Sequence, residues 1–202
     1  IELRLKTEAT AESILALEPE AVVVATGARP KEMPFGGEYG PPEVVTTWQV
    51  LTGQVEMGGP QVLLIDLDGH HQAASTAELL ADRGYQVHIV TPALFVGGAL
   101  GPLQDIFLTR QRLAQKGVRV TTDTAVFEIQ GLTAKAVQVY SGEFFEIEGH
   151  QTIVLAAGAE SVDDLYHQLK SRVSQLHRIG DCAAPRKTDL AILEGHRVGR
   201  EI

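Results

Sequence analysis

Cysteine is almost missing: Cys182 stands alone among 202 residues. One thiol excludes an internal disulfide framework, and by itself it cannot hold an iron-sulfur cluster or a structural zinc. Any metal centre must therefore lie elsewhere. Clustered basic residues are missing as well. The 26 acidic residues outnumber 17 basic ones, for a net charge of -9, and this argues against nucleic acid or an anionic membrane surface as a partner, because phosphate contacts need grouped Lys and Arg. No apolar run is long enough to span a bilayer, and no charged and apolar leader precedes a cleavage site. The cytoplasm is the expected location.

The apolar fraction, 44%, is ample for a core, and the length allows one large domain or two small ones. Ile1 to Leu5 (IELRL) reads as a strand already in progress with no turn signal before it, so the chain is expected to be a fragment of a longer protein. A Thr-capped short helix follows in "TEATAESILAL", with Ile14, Leu15 and Leu17 apolar and Pro19 as the stop. "EAVVVA" (20–25) reads as a strand buried on both faces, and the Gly- and Pro-rich stretch from Lys31 to Pro42 as a long surface connection. "TTWQVLTG" suggests a short helix over a packed Trp48.

Residues 62–91 spell strand, helix, strand: Val62 to Ile65, then a helix from about Gln72 to Arg83 with Ala73, Ala77, Leu80 and Ala81 on one face, then "YQVHIVTP". A second helix covers roughly Leu103 to Gln115, followed by "VRVTT". The period then changes to short alternating strands separated by glycines, "AVFEIQG", "AVQVYSG" and "FFEIEG", the mark of an antiparallel meander. "TIVLAAGAE" returns to a fully buried strand, "VDDLYHQLKSRV" to a helix, and a last helix closes the chain near Leu190 to Ile202. "AVVVATGARP" (21–30) and "TIVLAAGAES" (152–161) echo each other as apolar strand, small residues, Gly. The predicted class is α/β: two Rossmann-like three-layer units of FAD/NAD(P)-binding type, the second inserted in a truncated first, with the meander attached. The expected division is a discontinuous partial ADP/FAD-binding domain, 1–58 and 159–202, and an inserted degenerate NAD(P)-type domain, 59–158.

"IDLDGHHQAAS" (65–75) stands where a dinucleotide fold carries its glycines. Glycines are needed there so that the backbone turns tightly and approaches a pyrophosphate at a helix N-terminus. The three positions hold Asp66, Asp68 and His71 instead, with Gly69 out of register. Each carboxylate would repel a dianionic ligand by on the order of a few kcal/mol. Asp68 is expected to cap the helix itself, and if the ligand site has simply been filled, His70 and His71 are partly exposed loop or first-turn residues. A second reading is a phosphatase, since "LLIDLDG" resembles the opening motif of the haloacid dehalogenase superfamily, in which one Asp is nucleophile, the next general acid, and Mg²⁺ is bound. "VTP" (90–92) and "IGDCAAPRKTD" imitate that superfamily's later motifs. Against it, His70 stands where that family has Thr, and the helix starts with no room for the family's flap. A third reading is a retained fold whose ligand site has been filled.

Two other stretches resemble nucleotide-binding segments. "VVVATGARP" is similar to the strand ending in Ala-Thr-Gly that crosses near the cofactor in flavoprotein oxidoreductases with two dinucleotide domains, and this likeness implies Thr26, Gly27 and Ala28 as candidate cofactor-binding residues; an ordinary buried strand stopping at a glycine is the alternative. "HRIGDCAAPRKTDLAILEGHRVGREI" resembles the ending of such flavoproteins, a strand, Gly-Asp and a helix whose N-terminus points into the flavin or ADP site; the likeness implies that Gly180 permits the close turn, that Asp181 suits a ribose or ribityl hydroxyl, and that the helix dipole favours phosphate. Arg186 is a candidate phosphate contact. Helix capping by Asp181 and a surface salt bridge by Arg186 are the alternatives.

From Ala21 to Ile202 the chain resembles the C-terminal part of the trimethylamine dehydrogenase and 2,4-dienoyl-CoA reductase family of iron-sulfur flavoproteins. The carrying stretches are "VVVATGARP", "VVTTWQVLTG", "VLLIDLDGHHQAASTAELLADRGYQVHIVTP" and "RIGDCAAPRKTDLAILEGHRVGREI". The resemblance implies a parent with an FMN-bearing β/α barrel and a cysteine-bound 4Fe-4S cluster, both absent here, followed by two nucleotide-fold domains. It implies ADP or FAD in the first of these, with the first glycine-rich turn expected before Ile1. Reductases of the family keep glycines at the second site for NADPH. Amine dehydrogenases have replaced them and pass electrons to an electron-transfer flavoprotein. Asp66, Asp68 and His71 place this chain with the dehydrogenases, and NAD(P)H binding is not expected. An NADPH-dependent reductase and a non-catalytic docking module remain alternatives. Self-association stays open, and the substrate pocket belongs to the barrel.

Overall fold

The computed structural model describes residues 1–31, 35–39, 43–100 and 103–202. Its elements run α1 (Ala11–Leu15), β1 (Ala21–Val24), β2 (Ala28–Pro30), β3 (Val44–Thr46), α2 (Thr47–Leu51), β4 (Gln61–Asp66), α3 (His71–Asp82), β5 (Gln86–Val90), α4 (Leu103–Gln115) and β6 (Arg119–Thr121). They continue with β7 (Thr124–Gln130), β8 (Thr133–Gln138), β9 (Phe144–Ile147), β10 (Thr152–Ala156), β11 (Ala159–Ser161), α5 (Asp164–Leu169), β12 (Gln175–Arg178) and α6 (Thr188–Glu201). The chain divides into two compact units, Ile1–Lys31 with Ala159–Ile202, and Glu32–Gly158. Among the described residues no helix is long and apolar enough to cross a membrane.

The discontinuous unit is built on two short pairings. β1 and β12 run parallel, Val24 opposite Arg178, and β2 and β11 run antiparallel, Ala159 opposite Pro30. The sequence echo is thus physical: after β1 and after β10 the chain turns at a glycine, Gly27 (φ +81°) and Gly158 (φ +78°), into the two strands that pair with each other. Such positive φ values favour a residue without Cβ. Thr10 and Ser13 form a reciprocal capping box at α1, and Ala11, Val24, Leu169 and Cys182 make a small core.

Several expectations fail in this unit. Residues 1–5 form no strand, and Ile1, Leu3 and Leu5 are exposed; among the described residues no strand pairs with them to supply a hydrogen-bond ladder. β1 is not buried on both faces: only Val24 is buried and Val23 is 37% exposed, since a two-stranded pair covers little of either face. The helix expected over 162–173 shrinks to α5, because Lys170 leaves helical geometry (ψ 129°) and Ser171 turns left-handed (φ +67°).

The continuous unit is a five-stranded parallel sheet in the order β3-β10-β4-β5-β6. Its strands are near-continuous apolar runs because both faces are covered. Val62, Leu64, Val87 and Ile89 point to one side, where they meet Ala73, Ala74, Ala77 and Leu80 of α3 and Leu113 of α4. Leu63, Ile65, Val90 and Ile153 point to the other, against Val126, Ile129, Ala134 and Ala136 of the antiparallel meander β7-β8-β9. Burying each such Leu or Ile contributes about 1.5–3 kcal/mol. Helices, sheet and meander form three layers. Residues 44–58, expected with the discontinuous unit, belong here: β3 extends the sheet at β10, with Val44 opposite Ile153. Of the connection expected over 31–42, residues 32–34 and 40–42 lie outside the described residues, whereas Phe35 is buried in the meander core. Trp48 is half-buried, its indole N–H reaching Gln72 Oε1 at 3.3 Å.

Candidate functional site

In the discontinuous unit, four of the six residues singled out from the sequence meet at one cavity. It has a volume of about 300 Å³ and lies at the C-terminal ends of β1 and β12, lined by Gly27, Gly180, Asp181 and Arg186 together with Thr188 and Ala191 of α6. Crevices outside the carboxyl ends of parallel strands are where α/β folds bind ligands. Gly180 takes φ +63° and opens a single 3₁₀ turn, Gly180–Cys182. No side chain caps α6 at Lys187, so the amides of its first turn and the positive end of its dipole are left for a partner.

The individual roles differ from a simple phosphate clamp. Asp181 does not cap α6; its Oδ1 accepts the backbone N–H of Arg186 at 3.2 Å, fixing the loop before the helix. The Arg186 guanidinium pairs with Glu194, and Glu194 Oε2 also accepts the Gly180 N–H at 2.8 Å. These two partners hold the Glu194 carboxyl below its usual range. Thr26 and Ala28 do not line the cavity. Thr26 Oγ1 donates to the Val162 carbonyl and meets Cys182 Sγ at 3.2 Å, and Ala28 pairs with Ser161. Thr188, Ala191 and Glu194 were not foreseen. Their signal was present in the helical spacing of 188, 191 and 194, which sets all three on the face that begins at the α6 N-terminus.

In the continuous unit, β4 ends on Asp66, which is 1% exposed. Its Oδ1 accepts the amides of Gly69 at 2.8 Å and Asp68 at 3.2 Å. Oδ2 is buried without a partner among the described residues. Burial raises its pKa, against the opposing pull of those two amides. Asp68 does not cap α3. The N-cap residue is His70, which makes no side-chain cap bond, and Asp68 Oδ1 would lie 3.0 Å from a Cβ placed on Gly158. His70 and His71 are exposed. The strand tip thus carries a carboxylate that already takes the turn amides a diphosphate would use. The same burial removes the phosphatase reading, because a nucleophile enclosed by its own turn has no access to a phosphoryl group.

No protein-family model matches the chain. N,N-dimethylglycine/sarcosine dehydrogenase of Chromohalobacter salexigens is 30% identical over 240 aligned positions that take in 100% of this chain and 34% of that protein. Histamine dehydrogenase from Rhizobium sp. 4-9 superimposes with a TM-score of 0.88 at 25% identity, over 97% of this chain and 32% of that one. A 2-naphthoyl-CoA reductase superimposes at 0.86 with 28% identity, over 100% and 30%. The chain belongs to the C-terminal part of the trimethylamine dehydrogenase and 2,4-dienoyl-CoA reductase family. It spans about a third of the length of these relatives. Dehydrogenases and a reductase stand among these relatives.

Proposed function

We propose that this chain forms the nucleotide-fold part of an iron-sulfur flavoprotein of the amine dehydrogenase type. In this reading both compact units are Rossmann-like. The discontinuous unit supplies part of an ADP or FAD site, and the continuous one takes no NAD(P)H. The observation that carries the reading is the buried Asp66 carboxylate seated on the Asp68 and Gly69 amides. A coenzyme diphosphate at that tip would face a carboxylate, and the repulsion in a partly desolvated site is on the order of a few kcal/mol.

The cavity at Asp181 fits a nucleotide. Its volume, about 300 Å³, suits a sugar with a phosphate rather than a whole dinucleotide. Asp181 accepts a sugar hydroxyl, and the uncapped α6 amides and Thr188 receive phosphate oxygens. Glu194 holds Gly180 and Arg186 from behind, as a positioning residue. Bound there, ADP is a structural ligand and FAD supplies a redox-active flavin. A 4Fe-4S cluster does not fit this chain, whose single thiol, Cys182, is buried against Thr26. The cluster and the FMN belong to the rest of the parent, whose electrons would leave to an electron-transfer flavoprotein, and self-association is compatible with this reading.

The likeness to 2-naphthoyl-CoA reductase favours a second reading, an NAD(P)H-dependent reductase. Calorimetric titration of the full-length parent with ADP, FAD, NADH and NADPH separates them. ADP or FAD binding that weakens about tenfold in Asp181→Asn supports the dehydrogenase reading, since a hydrogen bond to a charged group contributes about 1.5–3 kcal/mol. NADH or NADPH binding lost on substitution at the β4 tip overturns it for the reductase. No binding of any of the four overturns both, in favour of a docking module.

A further inference from the structure

A second polar cavity lies at the other end of the parallel sheet, where β4, β5 and β6 begin. It measures about 360 Å³ and is lined by Gln61, Gln86, His88, Lys116, Arg119 and His150, among others. The register sets His88 opposite Arg119 on adjacent parallel strands, so both side chains leave the sheet on one face. His88 is 7% exposed, its Nε2 lies 2.8 Å from Thr121 Oγ1, and its ring packs beside that of His150 with centroids 5.7 Å apart. If the Thr121 hydroxyl donates to Nε2, the His88 proton sits on Nδ1.

Three features give this cavity the character of an anion site. The Nδ1 atoms of His88 and His150 are buried with no partner among the described residues, and an unmet buried polar atom is destabilising unless something answers it. Burial, then the Arg119 charge, lowers His88 to about 4 and pushes His150 down as well, so near neutral pH both rings are N–H donors and not cations. Lys116 is already paired with Asp82 and Glu78, whereas no carboxylate of the described residues lies within ion-pairing distance of Arg119. A guanidinium without a counter-ion beside two neutral rings repels a metal cation and attracts an anion.

We propose that this cavity binds a phosphate-class oxyanion, with Arg119 as its charge partner and the His88 and His150 rings as N–H donors. The site is independent of the nucleotide cavity at Asp181. The test is calorimetric titration of the whole chain with inorganic phosphate and, separately, with AMP, repeated on Arg119→Gln, Arg119→Lys and His150→Gln, with ¹⁵N imidazole spectra alongside. Arg119 is exposed, so its variants keep the wild-type spectrum outside the cavity. Phosphate binding is expected to weaken about tenfold or more in R119Q and less in R119K, with shifts of the His88 and His150 ring nitrogens. AMP binding more tightly than phosphate through the same residues identifies a nucleotide phosphoryl group as the source, and equal affinity identifies free phosphate; either supports the proposal. No binding of either probe, binding unchanged in R119Q, or Zn²⁺ rather than phosphate moving both ring signals would overturn it.

Discussion

Glu194 Oε2 accepts the backbone N–H of Gly180 at 2.8 Å across 14 residues of sequence, while its other oxygen holds Arg186. One side chain on α6 therefore fixes the turn that carries Asp181. Because these partners lower the Glu194 pKa, its contribution to stability is fully present above the unfolded-chain value near 4.5 and is lost as pH falls through the lower folded value. Glu194→Gln should reduce the melting temperature at pH 7, and the gap to wild type should close below about pH 4. Melting curves from pH 7 to 3 check this. A gap independent of pH would mean that the carboxylate charge is not what holds the turn.

Asp66 has the opposite sign. Burial raises its folded pKa above the unfolded value of 3.8, so the folded state holds its proton more tightly and stability falls as pH rises from that value through the raised one. Asp66→Ala removes the acceptor for the Gly69 and Asp68 amides and should cost about 1–3 kcal/mol. Asp66→Asn keeps an acceptor and removes the buried charge, so it should gain on wild type as pH rises from 4 to 8. Urea unfolding at both pH values measures the two variants. Equal losses for Ala and Asn would show that the charge, not the acceptor, matters.

How much of this was legible in the sequence depends on where the information resides. The parallel sheet, α3 and the meander announce themselves because both-face burial makes β4 and β10 unbroken apolar runs, while one-face burial makes β7 and β8 alternate. Gly180 and Asp181 were readable from their likeness to the Gly-Asp ending of similar flavoproteins, and with Gly27 and Arg186 they line one cavity. Partners distant in sequence were not readable. Nothing at Arg186 says that Glu194 holds it, nothing at Asp68 says that it lies over Gly158, and nothing at His88 says that Arg119 and His150 surround it. The boundary of the units was missed for the same reason, since β3 shows no sign in its own three residues of pairing with β10.

The face of α3 against the sheet offers a packing test. Ala77 is fully buried, whereas the Thr76 hydroxyl beside it is buried without a partner among the described residues. Ala77→Leu should destabilise by about 1–3 kcal/mol through overpacking. Thr76→Val, which removes an unanswered hydroxyl at similar volume, should leave stability unchanged or raise it. Urea midpoints at pH 7 decide. A Thr76→Val loss as large as that of Ala77→Leu would mean that the hydroxyl is bonded in solution.

His88 sets the acid limit of the continuous unit. Its pKa is 6.5 in the unfolded chain and about 4 in the fold. Between those values the unfolded state binds the extra proton, so stability is full above about pH 6.5 and falls as the pH drops towards 4, by up to roughly 3 kcal/mol from this one group. His150 is shifted the same way and adds to the slope. Asp66 works against it over the lower part of the range, so the two are best read in separate variants. His88→Gln should flatten the pH dependence of the urea midpoint between 6.5 and 4.5 while costing stability at pH 7.5, where wild-type His88 is neutral and bonded to Thr121. Saturating phosphate should lessen the acid loss in the wild type and not in Arg119→Gln, because an anion in the cavity stabilises the protonated ring only where the guanidinium retains it.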